Sequence, residues 1–281
     1  MTGQNRPNIF EELVWRPDRM LLHDLVFRLQ HYANNNWELG DECFTLYKIK
    51  PLVDQYAKFW SLRKDFDARN ILELGMWDGG SIAFWFECFR PDKLVGVDLQ
   101  QKEDNQYFKR YKSTRNADHN IKTYWGTDQG NSTRLRQIVH TEFQDSLDLV
   151  IDDASHMYAL TKKSFETLFP LLRPGGLYII EDWAWGHWQE FQTLHHPWSY
   201  ETPLTKLIFE IVAAIGSSQE QQSLISNISV FQGFAVIERG EALLPAVSEF
   251  KLETLISGCG IAPEARSKVF KVFRILKGLA S

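Results

Sequence analysis

The sequence of 281 residues has little cysteine and no long apolar run. Its three cysteines, Cys43, Cys88 and Cys259, are too scattered for a disulfide framework and form no CxxC pair, which favours a reducing cytoplasm. No segment reaches the roughly 18 uninterrupted apolar residues of a membrane span, and the first residues lack a signal-peptide core. We therefore expect a soluble, cytoplasmic protein that makes no membrane contact.

The sequence also lacks an excess of positive charge. Lysine and arginine number 31 against 36 aspartates and glutamates, so the net charge of -5 offers no broad field that would attract phosphates. Nucleic acid is therefore not expected as a partner. The hydrophobic content of 44% and the chain length suit a folded enzyme with a substantial core.

Apolar spacing divides the chain into three predicted parts. The leucines of residues 21–29 follow a helical period, so residues 1–68 are predicted to form a helical extension that serves as a lid, a substrate contact or an oligomer contact. Residues 69–240 alternate short β-rich runs with helical stretches, which predicts a doubly wound α/β domain. Residues 241–281 are predicted to form a helical tail that docks on the domain or joins copies of the chain in a homo-oligomer.

The α/β domain is predicted to contain a mostly parallel, seven-stranded sheet with a reversed final strand. The five parallel strands are predicted at Ile71 to Gly75, Leu94 to Leu99, Ile121 to Trp125, Leu147 to Asp152 and Leu177 to Glu181. Two further runs, Ile228 to Phe231 and Phe234 to Glu238, are separated by Gln232 and Gly233 and predict a hairpin that supplies the reversed strand.

A glycine-containing turn follows the first strand, in the run ILELGMWDGGS that ends at Ser81. Ligands of open α/β sheets bind at this edge, where Gly75 lets a ligand approach the backbone. The acidic residues of the turn would attract the ammonium and sulfonium groups of S-adenosylmethionine and repel a diphosphate. Trp77 also stands where a GxGxxG fingerprint needs glycine, so a nicotinamide oxidoreductase is only the alternative. The candidate cofactor-binding residues here are Glu73, Gly75, Asp78, Gly80 and Ser81.

Polar residues at the next strand ends extend the candidate cofactor site. Asp98 ends the second strand and can accept hydrogen bonds from ribose hydroxyls, although it could instead cap a loop. Asp128 and Gln129 follow the third strand and are candidates for adenine contact, with satisfaction of a turn as the alternative. Asp152, at the end of the fourth strand, completes the predicted cofactor-binding set.

Acidic pairs end the fourth and fifth strands, at Asp152-Asp153 and Glu181-Asp182. Neighbouring strands lie about 4.8 Å apart, so these like charges would repel each other unless a cation lay between them. Hard oxygen ligands favour Mg²⁺, with Mn²⁺ or Ca²⁺ as substitutes, whereas helix capping is the alternative role of the pairs. Successive strand residues point to opposite sides, and we expect Asp153 to face the metal.

Two histidines are candidates for a general base. His156 follows Asp153 by three residues and could take the proton of a substrate hydroxyl. His187, which follows the second acidic pair, is the weaker candidate. Either residue could instead be an ordinary surface histidine.

Several motifs resemble known families. The ELGxxxGGS turn, the VGVD strand end and the RPGGLYIIED segment resemble the Rossmann-type S-adenosylmethionine-dependent methyltransferases over about residues 70–240. The string IDDASH, followed by SFETLFPLLRPGGLYIIEDW, resembles the magnesium-dependent macrolide sugar O-methyltransferases of the mycinamicin and macrocin type. That resemblance implies that Asp153, Glu181 and Asp182 are metal ligands and that His156 is the general base.

The sequence thus predicts a metal-dependent O-methyltransferase that acts on a hydroxyl of a small-molecule, possibly glycosylated, natural product. A polyketide, peptide or phenolic hydroxyl is the alternative acceptor. From other classes, a non-catalytic S-adenosylmethionine-binding protein and the nicotinamide oxidoreductase remain as competing hypotheses.

Overall fold

The computed structural model describes residues 9–29, 42–193, 195–217, 223–243 and 250–256. A short 3-10 helix at Ile9–Glu11 precedes four short strands, β1 (Val14–Trp15), β2 (Arg19–Leu22), β3 (Leu25–Leu29) and β4 (Phe44–Leu46). These strands form a four-stranded sheet in the order β1-β2-β3-β4. Helix α1 (Lys50–Ser61), which has a proline in its first turn, follows this sheet.

The helix predicted from the leucines of residues 21–29 is wrong, because these leucines lie in an antiparallel hairpin of β2 and β3. A tight turn at His23, whose φ is 53°, joins the two strands. Each strand buries alternate residues, with Leu22 and Leu25 flanking the turn on the buried side. In each strand every second residue is buried, and a two-residue turn separates the strands. The apolar spacing that results is close to that of a helix, which explains the wrong prediction.

A seven-stranded sheet lies at the centre of the domain, and the predicted mostly parallel α/β fold is confirmed. Its elements are β5 (Asn70–Leu74), α2 (Gly80–Phe89), β6 (Lys93–Val97), α3 (Gln106–Thr114), β7 (Ile121–Tyr124), α4 (Ser132–Phe143), β8 (Leu147–Asp152), α5 (Tyr158–Leu168), β9 (Leu172–Glu181), α6 (Thr205–Ser217), β10 (Ile225–Val230) and β11 (Phe234–Arg239). The strand order is β10-β11-β9-β8-β5-β6-β7. All seven predicted strands are present, and β9 begins five residues earlier than Leu177, where it was predicted to begin.

The reversed final strand is also confirmed. Strand β11 runs antiparallel to β9, with Phe234 opposite Glu181, and β10 pairs antiparallel with the outer side of β11. This register brings the β10–β11 turn beside the carboxyl end of β9, where Asp182 donates its backbone N–H to the Gly233 carbonyl at 2.8 Å. The hairpin therefore forms one wall at the functional edge of the sheet.

Apolar side chains cover both faces of the sheet. In β5, Ile71 packs into one core with α1, α2, α3 and the N-terminal sheet, whereas Leu72 packs into a second core with α4, α5 and α6. Strands buried on both faces are expected to read as continuous apolar runs, as Leu147–Asp152 largely does. The N-terminal sheet thus lies on the same side of the central sheet as α2.

The predicted C-terminal tail falls mostly on residues 244–249 and 257–281, which lie outside the described residues. The described piece contains a 3-10 helix at Leu252–Leu255. It is held on α5 by Glu166, whose carboxylate accepts hydrogen bonds from Lys251 Nζ at 2.9 Å and from the Leu252 N–H at 3.0 Å. Each helix in the described ranges is too short or too polar to traverse a lipid bilayer.

Candidate active site

The carboxyl ends of β5, β6, β8 and β9 open into a cavity of about 980 Å³, which reaches the upper end of the 300–1,000 Å³ range of ligand pockets. Predicted site residues that line it are Gly75, Ser81, Asp98, Asp128, Gln129, Asp153, His156, Glu181 and Asp182. The segment of residues 45–49 lines it from the N-terminal side. The cavity therefore joins the predicted cofactor and metal regions in one space.

The turn after β5 brings the ends of β5 and β8 into contact. Gly75 adopts a φ of 85°, and a Cβ at this position would lie 2.1 Å from the Asp153 carbonyl oxygen. Asp98 holds the turn by accepting hydrogen bonds from the backbone N–H groups of Met76 at 3.1 Å and Trp77 at 2.8 Å. The carboxylate predicted to bind ribose therefore also shapes the loop beside it.

We expect Gly75→Ala to lower the free energy of unfolding by about 2 to 4 kcal/mol, because alanine disfavours the positive φ and its Cβ would overlap the Asp153 carbonyl. Urea denaturation measures this loss. Gly216→Ala in α6 is the matched control, since a Cβ there would meet nothing within 4 Å. This substitution should raise the free energy of unfolding by up to about 1 kcal/mol, because alanine favours the helix more than glycine does. Equal stability of Gly75→Ala and wild type would contradict the described turn.

Four predicted cofactor-binding residues do not line the cavity: Glu73, Asp78, Gly80 and Asp152. Asp78 and Gly80 instead fix the N-terminal segment against α2. The Asp78 carboxylate accepts hydrogen bonds from the backbone N–H groups of Thr45 at 3.1 Å and Gly80 at 3.0 Å. A Cβ on Gly80 would lie 2.1 Å from the Thr45 carbonyl oxygen, so glycine is needed for this close approach.

Asp152 lies behind the cavity in a buried hydrogen-bond network. Its carboxylate accepts hydrogen bonds from Ser164 Oγ at 2.6 Å, Tyr178 OH at 2.7 Å and Gln129 Nε2 at 3.2 Å. Burial raises the pKa of Asp152 to about 6, although the hydroxyl donors oppose the shift. Asp152 therefore orients Gln129, which does line the cavity, and does not itself face the space for a ligand.

Glu73 is likewise buried, and its carboxylate accepts hydrogen bonds from Ser81 Oγ at 2.9 Å and Trp85 Nε1 at 3.1 Å. Burial raises its pKa from 4.5 to about 8, against the favourable charge of Lys48. Glu73 thus positions Ser81 at the cavity wall.

The raised pKa of Glu73 predicts a pH-dependent stability. The carboxyl binds its proton more tightly in the folded state, so its contribution is fully present below pH 4.5 and is lost as the pH rises through about 8. We expect the stability of Glu73→Gln relative to wild type to improve between pH 5 and pH 9, measured by urea denaturation. Glu103→Gln, at an exposed carboxylate, is the control for adding an amide. A pH-independent difference for Glu73→Gln would contradict the expectation.

Three side chains converge where β8 and β9 end. One ligand atom from each of Asp153, His156 and Asp182 lies within 4.8 Å of the others, and His156 Nε2 is 3.9 Å from Asp153 Oδ1. His156 Nδ1 is buried without a hydrogen-bond partner among the described residues. The carboxylates of Asp153 and Asp182 are oxygen donors that fit a divalent cation, and the imidazole of His156 lies beside them.

The backbone at this cluster is held in an uncommon conformation. His156 and Asp182 have φ values of 55° and 52°, in the left-handed region. Trp185 Nε1 donates a hydrogen bond to the His156 carbonyl at 2.8 Å, and the Asp182 N–H is fixed on the β10–β11 turn. Burial also raises the pKa of Asp182. Such strain is characteristic of functional sites, where surrounding contacts must hold it.

Glu181 is held by two residues that the sequence motifs did not reveal. Lys48 Nζ lies 2.6 Å and 2.7 Å from the two carboxylate oxygens of Glu181, and Tyr56 OH donates to the same carboxylate at 2.7 Å. Lys48 Nζ also donates to Asp153 Oδ2 at 2.8 Å. Burial lowers the pKa of Lys48, but the charges of Asp153 and Glu181 outweigh it and raise the pKa above its ordinary value.

His187, the second candidate base, lies away from the cluster. It is exposed, it shares a hydrogen bond with Thr205 Oγ1 at 2.9 Å, and it does not line the cavity. The loop that carries it instead contributes aromatic side chains, because Trp188 and Trp198 both line the cavity. Trp198 packs with its ring centroid 5.2 Å from that of Phe191 and 6.4 Å from that of His156. An aromatic wall therefore stands next to the cluster.

Comparison with known proteins agrees with this arrangement. Residues 72–183 match the family model described as a methyltransferase domain, and this stretch includes the glycine turn and both acidic strand ends. The resemblance to Rossmann-type S-adenosylmethionine-dependent methyltransferases of the mycinamicin and macrocin type is thereby confirmed.

Individual relatives are O-methyltransferases by name. The chain is 30% identical over 196 residues to the mycinamicin VI 2''-O-methyltransferase of Micromonospora griseorubida, covering 62% of this chain and 45% of the relative. It is 28% identical over 192 residues to the demethylmacrocin O-methyltransferase of Streptomyces fradiae, covering 61% and 44%. The matched region thus spans less than half the length of these relatives. The structure of the MycE methyltransferase of mycinamycin biosynthesis with Mg, SAH and mycinamycin VI superposes with a TM-score of 0.49 at 27% identity, covering 69% of this chain and 51% of that one.

Proposed function

We propose that this protein is an S-adenosylmethionine-dependent, divalent-metal-assisted O-methyltransferase that acts on a hydroxyl of a small-molecule natural product. The observation that carries the proposal is the convergence of Asp153, His156 and Asp182 in the cavity that Gly75 and Asp98 also line. A methyl donor and an acceptor hydroxyl need such a shared space, because the transferred group must lie between them.

Gly75, Asp98 and Gln129 are the proposed donor-binding residues. Gly75 allows the ligand to approach the backbone closely, and the Asp98 carboxylate lies where ribose hydroxyls would be bound. Gln129 is oriented by Asp152 and by the Ser155 N–H, which donates to its Oε1 at 2.8 Å. Its amide would contact the adenine end of the donor. Ser81, Asp128 and the acidic lining of the cavity complete this part of the site.

The proposed chemistry divides between the donor, the cation and one histidine. Bound S-adenosylmethionine would supply the methyl group, and a bound Mg²⁺ would lower the pKa of the acceptor hydroxyl. Asp153 and Asp182 would hold the cation, with Glu181 behind them. His156 would then accept the hydroxyl proton at Nε2, because Nδ1 is enclosed by the protein. The acceptor oxygen would form a bond to the methyl carbon while the carbon–sulfur bond of the donor breaks, so that S-adenosylhomocysteine leaves and the hydroxyl proton goes to His156.

The acceptor is proposed to be a glycosylated molecule that rests on Trp188 and Trp198. Both rings line the cavity, as does Glu190, which lies between them in sequence. Flat aromatic faces suit the apolar faces of a sugar ring, and a nearby carboxylate can accept its hydroxyl donors. The name of another relative, the 8-demethyl-8-alpha-L-rhamnosyl tetracenomycin-C 2'-O-methyltransferase of Streptomyces olivaceus, 35% identical over 114 residues, supports this acceptor class.

We expect Trp188→Ala to raise the acceptor KM about tenfold while leaving donor affinity unchanged, because the proposal places this ring against the acceptor and its loss removes a stacking surface. Steady-state kinetics with a rhamnosylated polyketide and donor calorimetry separate the two effects. Trp15→Ala, a tryptophan in β1 outside the cavity lining, is the matched control. A parallel loss of donor affinity would instead place Trp188 in the donor region.

The proposal is tested by calorimetry with S-adenosylmethionine and by methyl transfer to a panel of glycosylated and unglycosylated acceptors, with Mg²⁺ or with chelator. Donor binding with Mg²⁺-dependent formation of a methyl ether would support it. Binding of a nicotinamide dinucleotide in place of the donor, or full transfer in chelator, would refute it. Cytoplasmic location and a homo-oligomer stay part of the proposal, and light scattering tests the latter.

A further inference from the structure

Lys48 enters the acidic end of the cavity from outside the matched methyltransferase segment. It lies between β4 and α1 and is only 2% exposed. Its ammonium group contacts carboxylates on two different strands, Asp153 after β8 and Glu181 at the end of β9. The Trp85 ring lies behind it, with Nζ 5.7 Å from the ring centroid. An ammonium has three donor hydrogens, and these carboxylates use them fully.

We propose that Lys48 is a built-in cation of the metal site, which holds Asp153 and Glu181 together and sets the affinity of the adjacent Asp153, His156 and Asp182 cluster for a divalent ion. This inference rests on the proposed function, because it assumes that the cluster binds such an ion. Lys48 acts here as a positioning residue, since its ammonium group contacts the carboxylates and not the reacting atoms.

The charges around the site explain why a lysine is placed there. Asp153, Glu181 and Asp182 carry three negative charges, and Lys48 reduces their sum to two, which one divalent cation balances. Without Lys48, the buried carboxylate of Glu181 and the partly buried carboxylates of Asp153 and Asp182 would repel one another in the metal-free protein.

If Lys48 had only a structural role, its removal would change metal affinity in a different way. Tyr56 already donates to Glu181, so that carboxylate keeps one hydrogen bond when the ammonium is removed. Removing the positive charge should therefore destabilise the metal-free protein and, at the same time, strengthen its attraction for a divalent ion. Loss of a merely structural contact would lower stability without tightening metal binding.

The test compares Lys48→Met with wild type in the full chain, using Mn²⁺ titration calorimetry and thermal unfolding with and without Mn²⁺. We expect Lys48→Met to bind Mn²⁺ at least about tenfold more tightly and to have a lower Tm without metal, with a larger rise in Tm when Mn²⁺ is added. Lys50→Met is the matched control, because Lys50 is a neighbouring, exposed lysine paired with Asp54, and its Mn²⁺ affinity should equal that of wild type.

Each result decides the matter. A Mn²⁺ affinity of Lys48→Met that is weaker than wild type, equal to it, or less than about tenfold tighter overturns the role of Lys48 while leaving the metal-assisted mechanism intact. Failure of the wild type itself to bind Mn²⁺ or Mg²⁺ overturns both. If Lys48→Met does not fold, the double variant Lys48→Met with Glu181→Gln decides, since it restores a sum of two negative charges. The inference is supported if the double variant folds and binds Mn²⁺ about as tightly as wild type. It is overturned if the double variant does not fold or binds Mn²⁺ with a clearly different affinity.

Discussion

Replacement of His156 by alanine is expected to lower kcat at least about 10²-fold while leaving S-adenosylmethionine affinity nearly unchanged. The imidazole is 16% exposed at the cavity, and its Nε2 lies 3.9 Å from Asp153 Oδ1, beside the place proposed for the acceptor hydroxyl. Without a group that takes the proton, the hydroxyl must lose it to water. Single-turnover methyl transfer measures the rate, and calorimetry measures donor binding.

His187→Ala is the matched control for this experiment. His187 is the other histidine near the acidic strand ends in sequence, but it is bound to Thr205 and does not line the cavity. Its replacement should leave kcat within about twofold of wild type. Loss of activity in His187→Ala with retention in His156→Ala would reverse the assignment of the base.

Asp182→Asn is expected to raise the Mg²⁺ concentration for half-maximal activity at least about tenfold and to reduce the rate at saturating Mg²⁺. The amide keeps the shape of the side chain but removes a negative charge from the cluster of Asp153, His156 and Asp182. A neutral amide oxygen is a weaker ligand for a hard cation than a carboxylate. Asp182 is the better choice for this test than Asp153, whose carboxylate is also bound by Lys48.

The Mg²⁺ dependence of methyl transfer measures the effect, and Asp54→Asn provides the control. Asp54 lies on the exposed side of α1, where its carboxylate pairs with Lys50. Its replacement should not move the Mg²⁺ dependence. An identical Mg²⁺ profile for Asp182→Asn and wild type would remove Asp182 from the metal site and with it the proposed mechanism.

The central sheet was predictable because buried parallel strands leave a strong apolar signal. The run Leu147–Asp152 was predicted with its observed bounds, since each of its residues is buried and no residue outside the strand continues the pattern. The β2–β3 hairpin was not predictable in this way. Its two short strands and tight turn at His23 produce an apolar spacing that a helix also produces.

The site residues at the ends of the central strands were predictable from the sequence, whereas those from other parts of the chain were not. Asp153 and Asp182 follow directly from acidic residues at the ends of adjacent strands, and the structure brings them together. Asp152 turns instead toward Ser164 and Tyr178, because neighbouring strand residues face opposite sides. Lys48 belongs to a different part of the chain, and no spacing rule links a lone lysine to carboxylates more than a hundred residues away.

The N-terminal strands and α1 therefore limit how far this protein can be divided into interchangeable segments. A fragment or chimera that starts at residue 69 would retain the whole matched segment of residues 72–183, yet it would lack Lys48, Tyr56 and the strip at Thr45 that closes one side of the cavity. A chimera would need its junction before β4, so that Lys48 and residues 72–183 come from the same protein.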